Sequence, residues 1–123
     1  MKSRRFEMIG LLSLSLMNLS PQAWAHDVPL AESPPSVRAV FDGRNVEFFL
    51  RFDRPVDHVH SRIAIMRDGK VVKMLNPRLE AQPDVLFARA ATLSPGDYKL
   101  YWLVRSKEGT DLVQGGVPFT VSE

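Results

Sequence analysis

The chain contains three histidines, and the residues around them favour coordination of a metal ion. His26 directly follows the small-residue triplet Ala23-Trp24-Ala25. If a peptidase cuts after Ala25, His26 carries a free α-amine beside its own imidazole. The amine and Nδ1 can then close a six-membered ring with one metal ion, which places two nitrogens at right angles in a square plane.

Two further clusters carry metal-binding side chains. His58 and His60 stand one residue apart in "RPVDHVHSRI", and Glu108 and Asp111 lie in "SKEGTD". Each cluster alone has an ordinary explanation. A terminal histidine follows from where the peptidase cuts, His-x-His suits a solvated loop, and Glu-Gly-Thr-Asp suits a turn.

The donor types indicate which ion these side chains would bind. Imidazole, amine and carboxylate together suit a borderline divalent ion, and copper(II) binds such sets most tightly among the first-row metals. Zinc is the natural competitor, because it accepts the same ligands in a tetrahedron. The chain has no cysteine, so it offers no thiolate to a soft metal.

Residues 1–25 have the features of a cleaved signal peptide. Lys2, Arg4 and Arg5 give a positive start, residues 8–19 form an apolar run, and Ala23 and Ala25 offer the small residues that a signal peptidase requires. The alternative, an uncleaved anchor, is disfavoured because the run is short and is interrupted by polar residues. The sequence therefore predicts export of the chain and a mature domain at residues 26–123.

Removing this segment changes the bulk properties of the chain. Of the 16 Lys and Arg, three leave with residues 1–25, and of the 14 Asp and Glu one leaves, so 13 of each remain. The mature chain is close to neutral, and nothing in it predicts a nucleic-acid-binding surface. Its 98 of 123 residues are enough for one domain, which we expect to be a monomer.

Apolar residues alternate along the mature chain with the period of two that is typical of strands. Seven strands are predicted, at about 36–41, 45–52, 61–66, 70–75, 85–90, 98–105 and 115–121. Short strands separated by turn signals predict an antiparallel sandwich or a small barrel. The expected core contains large apolar side chains from alternating positions: Phe48, Leu50, Leu100, Trp102 and Phe119.

In such a fold the three clusters are expected at one end. The start of the first predicted strand lies at the same end as the connection from the second strand to the third, and an immunoglobulin-like order brings the last connection there too. No Gly-x-Ser-x-Gly sequence or glycine-rich phosphate loop is present, so we predict a binding protein and not an enzyme. An oxidative polysaccharide-cleaving enzyme also holds copper with a terminal histidine, but this chain has little from which to build a substrate face.

The chain resembles the CopC family of periplasmic copper-resistance and copper-carrier proteins. The shared features are the histidine that begins the mature chain, "SPP" at 33–35, "LRFDRPVD" at 50–57, "LSPGDYKLYWLVRSKEG" at 93–109 and the closing "GGVPFTV". The resemblance implies a seven-stranded, immunoglobulin-like, Greek-key β-sandwich. It also implies copper(II) binding through the terminal histidine and an Asp-x-His pair before the last strand.

The sequence departs from the family at this pair. Glu108 matches the family aspartate only by analogy, and Asp111 stands where the family has its histidine. Either His58 or His60 supplies the missing imidazole, or the metal site has been lost. In the second case the domain serves protein contact, for example with an inner-membrane copper transporter of the CopD type. We favour the first hypothesis, with His60 as the ligand because it stands next to a predicted strand.

Overall fold

The computed structural model describes residues 26–91, 93–109 and 111–122, with His26 described by its backbone. Nine strands form within these residues. They are β1 (His26–Ala31), β2 (Ser36–Phe41), β3 (Asn45–Arg51), β4 (Val56–Arg67), β5 (Lys70–Leu75), β6 (Arg78–Leu79), β7 (Val85–Ala91), β8 (Gly96–Ser106) and β9 (Leu112–Val121). The predicted signal peptide lies outside the described residues. No helix of the described part is long and apolar enough to cross a membrane.

The strands form two antiparallel sheets. The four-stranded sheet has the order β9-β8-β4-β5, and the five-stranded sheet has the order β1-β2-β3-β7-β6. The predicted all-β, two-sheet architecture is therefore confirmed. The predicted count of seven strands is wrong, because β1 and β6 were not expected. Among the described residues, β1 contains Pro29 and pairs with β2 alone at a sheet edge, and β6 has two residues, so neither shows a clear alternation.

The core lies between the two sheets and contains the side chains that alternation predicted. Phe48, Leu50 and Leu100 are fully buried, and Trp102 and Phe119 are 4% and 5% exposed. The rings of Phe48 and Phe119 meet edge to face, with their centroids 5.2 Å apart, and so join the two sheets. Burial of large apolar side chains is the main force that holds such a sandwich together.

Phe49 breaks the alternation of β3, and the structure shows how its ring is covered. It lies on the outer face of the five-stranded sheet, where its ring centroid is 5.1 Å from that of Phe87. The guanidinium of Arg38 lies over the Phe49 ring at 4.4 Å. The ring is thus covered by another ring and by a cation, an arrangement that is favourable at a protein surface.

Candidate metal-binding residues

Three backbone hydrogen bonds gather the loops at one end of the sandwich. Lys107 N–H donates to the carbonyl of Pro55 at 3.0 Å, Val56 N–H to that of Pro83 at 3.0 Å, and Phe52 N–H to that of Asp84 at 2.8 Å. We call this the Pro55 end. It holds the start of β4, the start of β7 and the loop between β8 and β9.

His58 and His60 lie in an irregular part of β4 at the Pro55 end. Asp57 is opposite Arg105 on β8, and Arg62 is opposite Leu103. Between these two pairs β4 has residues 58–61, whereas β8 has residue 104 alone. Residues 58–61 therefore form a bulge. The prediction that His60 precedes the third strand is wrong, because β4 begins at Val56 and includes both histidines.

His60 is fixed by a carboxylate that sequence reasoning did not single out. Its Nδ1 is 2.7 Å from Oδ2 of Asp57. Oδ1 of Asp57 accepts hydrogen bonds from the backbone N–H groups of Val59 at 3.1 Å and His60 at 3.3 Å. The hydrogen bond from His60, followed by the backbone bonds, holds the pKa of Asp57 below its usual range.

This arrangement decides which ring nitrogen of His60 is available. In the neutral ring, a hydrogen bond to an ionised Asp57 places the proton on Nδ1 and leaves the lone pair on Nε2. The His60 side chain is 67% exposed, whereas that of Asp57 is 27% exposed. A histidine whose second ring nitrogen donates to a carboxylate is the usual form of a metal ligand, because the carboxylate sets ring orientation and raises basicity.

A buried serine holds the bulge against the sheet. The hydroxyl of Ser61 donates to the carbonyl of Asp57 at 2.6 Å and accepts from the backbone N–H of Arg105 at 3.0 Å. Ser61 is only 6% exposed. The Ser61 hydroxyl bonds two backbone groups at the point where the regular strand pairing is interrupted. Ser61 therefore fixes the segment that carries Asp57 and His60.

His58 occupies the same bulge but in a different environment. Its side chain is half-buried, whereas its neighbour Val59 is 71% exposed. The two histidines therefore lie in different environments. Asp57 is hydrogen-bonded to the ring of His60, which makes His60 the better oriented of the two.

The two carboxylates of the "SKEGTD" loop lie at the Pro55 end as predicted, but a cation accompanies them. The backbone N–H of Ser106 donates to the carbonyl of Asp111 at 3.0 Å and closes the loop. Arg54 Nη1 is 3.4 Å from Oδ2 of Asp111, and Arg54 Nε is 3.2 Å from Oδ1 of Asp53. Arg54, Glu108 and Asp111 line a pocket of about 170 Å³. A guanidinium thus stands beside the residue that replaces the family histidine.

The backbone of His26 lies at the other end of the molecule. His26 is in register with Phe41 on β2, and Phe41 with Val46 on β3, next to the turn in which Asp42 N–H donates to the carbonyl of Asn45. We call this the Asp42 end. We expected His26 to be tethered loosely to the first predicted strand, near the loops. In the structure, His26 begins the edge strand β1.

The predicted convergence of all three clusters at one end is therefore wrong for the backbone of His26. The structure brings His58, His60, Glu108 and Asp111 to the Pro55 end and separates them from His26. Among the residues that the structure describes, no group of three or more His, Asp or Glu side chains is close enough to hold a metal ion. The ligand roles of all five residues stay predictions.

Sequence reasoning missed Asp57, Ser61 and Arg54. One signal was available for Asp57, because an aspartate three residues before a histidine can bond both the backbone and the ring of that histidine. Ser61 gave no such signal, since its role depends on the bulge. The contact between Arg54 and Asp111 joins residues 57 positions apart in the chain.

Comparisons with known proteins agree with the fold and with the motifs in the sequence. A family model described as the CopC domain matches residues 30–122. The crystal structure of CopC from Methylosinus trichosporium OB3b is similar, with a TM-score of 0.57 and 27% sequence identity, over 79% of this chain and 94% of that chain. A comparison with curated proteins finds no match.

Proposed function

Because the chain belongs to the CopC family, we propose that it is an exported copper(II)-binding protein that carries or buffers the ion in copper homeostasis and resistance. Copper is the cargo of such a protein, and the chain catalyses no reaction of its own. Zinc, which accepts nitrogen and oxygen ligands of the same kind, is the competing ion.

The observation that carries this proposal is the geometry of His60. Its Nδ1 is bonded to Asp57 at 2.7 Å, and most of its ring is exposed. Nε2 is then a neutral nitrogen donor whose position is set by a bulge and by the buried Ser61. A ligand held on a rigid element by its own hydrogen-bonded partner loses little freedom when the metal binds.

His26 supplies the second part of the donor set. After cleavage behind Ala25, its amine and Nδ1 form a chelate that suits the tetragonal preference of copper(II). His60 then supplies a third nitrogen. Glu108 and Asp111 are the candidate oxygen ligands. His58 is a weaker candidate than His60 because, within the described part of the chain, no carboxylate bonds its ring.

A copper(II) titration of the protein that begins at His26, followed by electron spin resonance, tests this proposal. We expect tight binding with three coordinated nitrogens, and a loss of one nitrogen in His60→Ala but not in His58→Ala. Affinity should fall as the pH falls, because the nitrogens must lose their protons before they coordinate. If the parent protein binds copper(II) no better than a variant lacking both His26 and His60, the proposal is wrong.

A second candidate function is a contact domain in which metal binding is weak or lost. The observation that favours it is Arg54, whose guanidinium lies between the carboxylates of Asp53 and Asp111. A cation in this place opposes the approach of a second cation. The partner would be a copper-handling membrane protein of the CopD type, and the same titration, giving negligible affinity, would favour this candidate.

The location and the processing of the chain belong to the same proposal. We assign residues 1–25 to a cleaved signal peptide and residues 26–123 to one immunoglobulin-like domain in the periplasm. Mass spectrometry of the exported protein should find His26 as the first residue. A chain that starts at any other residue lacks the amine and imidazole chelate, and copper binding would then rest on His60 alone.

A further inference from the structure

We infer that β5 is a docking edge, which takes an extended acidic segment of a partner protein as an additional strand of the four-stranded sheet. Such a contact is a further function of the domain and is separate from copper binding. Three features of the molecule support it: the exposure of β5, the protection of the other three sheet edges, and the position of two lysines on β5.

Strand β5 is an exposed edge of its sheet. Among the described residues, the order β9-β8-β4-β5 gives it one paired neighbour, β4. Residues 70–74 are all exposed, and Leu75 at the end of the strand is buried. Alternate residues of an edge strand direct their N–H and C=O groups away from the sheet, where a further strand can pair with them.

Exposed apolar side chains are concentrated on β5. In the described part of the chain six large apolar side chains are exposed, and three of them, Val71, Val72 and Met74, lie on this strand. Their exposed fractions are 54%, 47% and 56%. A strand that paired with β5 would cover part of this surface and would gain backbone hydrogen bonds at the same time.

The other three sheet edges carry features that oppose a further strand. β1 contains Pro29 and β9 contains Pro118, and a proline has no N–H to donate to a ladder. β6 has only two residues. β5 has six residues with neither proline nor glycine, so it is the edge best suited to strand addition.

A register shift in β5 places its two lysines on one face of the sheet. Lys73 is in register with Ile65 of β4 and Lys70 with Arg67, and Val72 is the extra residue of the shift. Residues 65 and 67 are two apart in β4, and paired residues share a face, so both lysines lie on the same side. Lys70 beside Arg67 also puts two cations together.

The opposite face of β5 is apolar. Val71 and Met74 are in register with residues 66 and 64, which alternate with residues 65 and 67 along β4. A segment in which acidic and apolar residues alternate matches this edge. Its carboxylates would lie beside the lysines, and its apolar side chains would lie beside Val71 and Met74.

The charge on β5 selects the partner. Within the described residues, ion pairs are made by arginines and by His60, so the ammonium groups of Lys70 and Lys73 are open to a new partner. A neutral strand would cover these charges without pairing them, which opposes docking. A second copy of β5 would bring lysines beside lysines. The occupant is therefore an acidic strand of another protein.

Two capped synthetic peptides of equal length test the inference on the mature protein. Glu-Val-Glu-Val-Glu-Val should shift the amide signals of residues 70–75 in a nuclear magnetic resonance titration and should slow hydrogen exchange at alternate amides of β5. Lys-Val-Lys-Val-Lys-Val should bind about tenfold more weakly or not at all, because like charges then meet. A fully N-methylated Glu-Val peptide keeps its side chains but donates no backbone hydrogen bond, and it should not bind.

Charge reversal on β5 provides the matched variant. Lys70→Glu/Lys73→Glu should reject the Glu-Val peptide and accept the Lys-Val peptide, and this gain of binding also shows that the variant is folded. Lys99→Glu/Lys107→Glu changes the net charge equally at exposed residues outside β5. It should keep the preference of the parent protein for the Glu-Val peptide.

Each other outcome overturns the inference. Failure of the Glu-Val peptide to bind, or shifts confined to other strands, would remove β5 as a docking edge. Equal binding of the two charged peptides would show that the lysines select nothing, and equal binding of the N-methylated peptide would exclude strand addition. Association of the parent protein with itself through β5, seen in analytical ultracentrifugation, would make a second copy the occupant.

Discussion

The two halves of β8 lie between the same neighbours but are built differently. In the middle, Trp102 is in register with Ile63 on β4 and with Gly115 on β9, and both ladders are regular. Near its end, Arg105 is opposite Asp57, and β4 bulges away between Asp57 and Arg62. In the first half packing between the sheets fixes the backbone, and in the second half side-chain hydrogen bonds replace part of the ladder.

In the middle of β8, burial of apolar side chains is therefore the main contribution to stability. Trp102→Ala should lower the free energy of unfolding by about 3–5 kcal/mol, the range for emptying a large aromatic site. Trp102 is 4% exposed and lies in the main apolar cluster. Chemical denaturation monitored by far-UV circular dichroism measures the change.

Trp102→Phe is the matched control. It keeps most of the buried ring, and it removes Nε1, which has no hydrogen-bond partner among the described residues. The loss should therefore be clearly smaller than for alanine. A loss below about 1 kcal/mol for Trp102→Ala would contradict the packing that we assign to this half of β8.

Gly115 shows how closely β9 approaches the Trp102 ring. A Cβ atom at position 115 would lie 2.7 Å from Cζ2 of Trp102 and 3.0 Å from its Cε2. The indole is a rigid ring in a packed core, so it has no room to move away. Gly115→Ala should cost about 2–3 kcal/mol, within the range for over-packed cores.

Gly109→Ala is the control for this substitution. A Cβ there meets Oγ of Ser106 at 3.7 Å, which is ordinary contact, so the free energy of unfolding should change by less than about 0.5 kcal/mol. If Gly115→Ala and Gly109→Ala lower the free energy of unfolding equally, the loss at position 115 comes from the backbone preferences of alanine and not from its contact with the indole.

The contrast between the regularly packed half of β8 and the half beside the bulge explains how much of the molecule could be predicted from its sequence. Alternation in "YKLYWLVR" predicts that Leu100 and Trp102 face the core, because each strand residue faces opposite to its neighbour. Every predicted strand is present, with bounds that differ mostly by a few residues.

The metal-binding residues could be predicted only in part. His58, His60, Glu108 and Asp111 were placed at the correct end, since connections between strands are local features of topology. His26 was misplaced, because an unexpected edge strand reverses the chain once more before β2 and moves residue 26 to the far end. The bonds of Asp57 and Arg54 depend on side-chain positions in a bulge and a loop, which periodicity does not describe.

Ser61 tests the second half of β8, where hydrogen bonds replace the ladder. Ser61→Ala leaves the carbonyl of Asp57 and the backbone N–H of Arg105 without the hydroxyl that joins them. Because the site is buried, water restores these bonds poorly, and we expect a loss of about 1–2 kcal/mol in the free energy of unfolding. The Asp57–His60 contact should also loosen, which nuclear magnetic resonance of the His60 ring nitrogens would detect.

Ser94→Ala is the control for Ser61. The hydroxyl of Ser94 is 3.1 Å from that of Tyr98, but Tyr98 also donates to the carbonyl of Ser94 at 2.7 Å, and this bond survives the substitution. Its effect should be small. An unchanged unfolding energy and unchanged ring-nitrogen signals in Ser61→Ala would show that the bulge is held by the ladder residues on either side of it.

The smallest expected effect lies at the Asp42 end, in the turn between β2 and β3. Oδ1 of Asp42 accepts from the backbone N–H groups of Asn45 at 2.7 Å and Arg44 at 3.2 Å, and Gly43 takes the positive φ of 87° that the turn needs. These hydrogen bonds lower the pKa of Asp42 from 3.8, and the bond from Asn45 contributes most. A lowered pKa in the folded state means that the ionised carboxylate stabilises the fold.

The sign of the pH dependence at Asp42 follows from that lowered pKa. The stabilisation is fully present above pH 3.8, the value in the unfolded chain, and it is lost as the pH falls through the lower folded value. Asp42→Ala should therefore melt slightly below the parent at neutral pH, and the two melting temperatures should converge in acid. Asp42→Asn keeps an oxygen acceptor but no charge, so its difference from Asp42→Ala should not change with pH. A gap between parent and Asp42→Ala that stays constant into acid would show that the turn depends on glycine and strand pairing and not on the carboxylate.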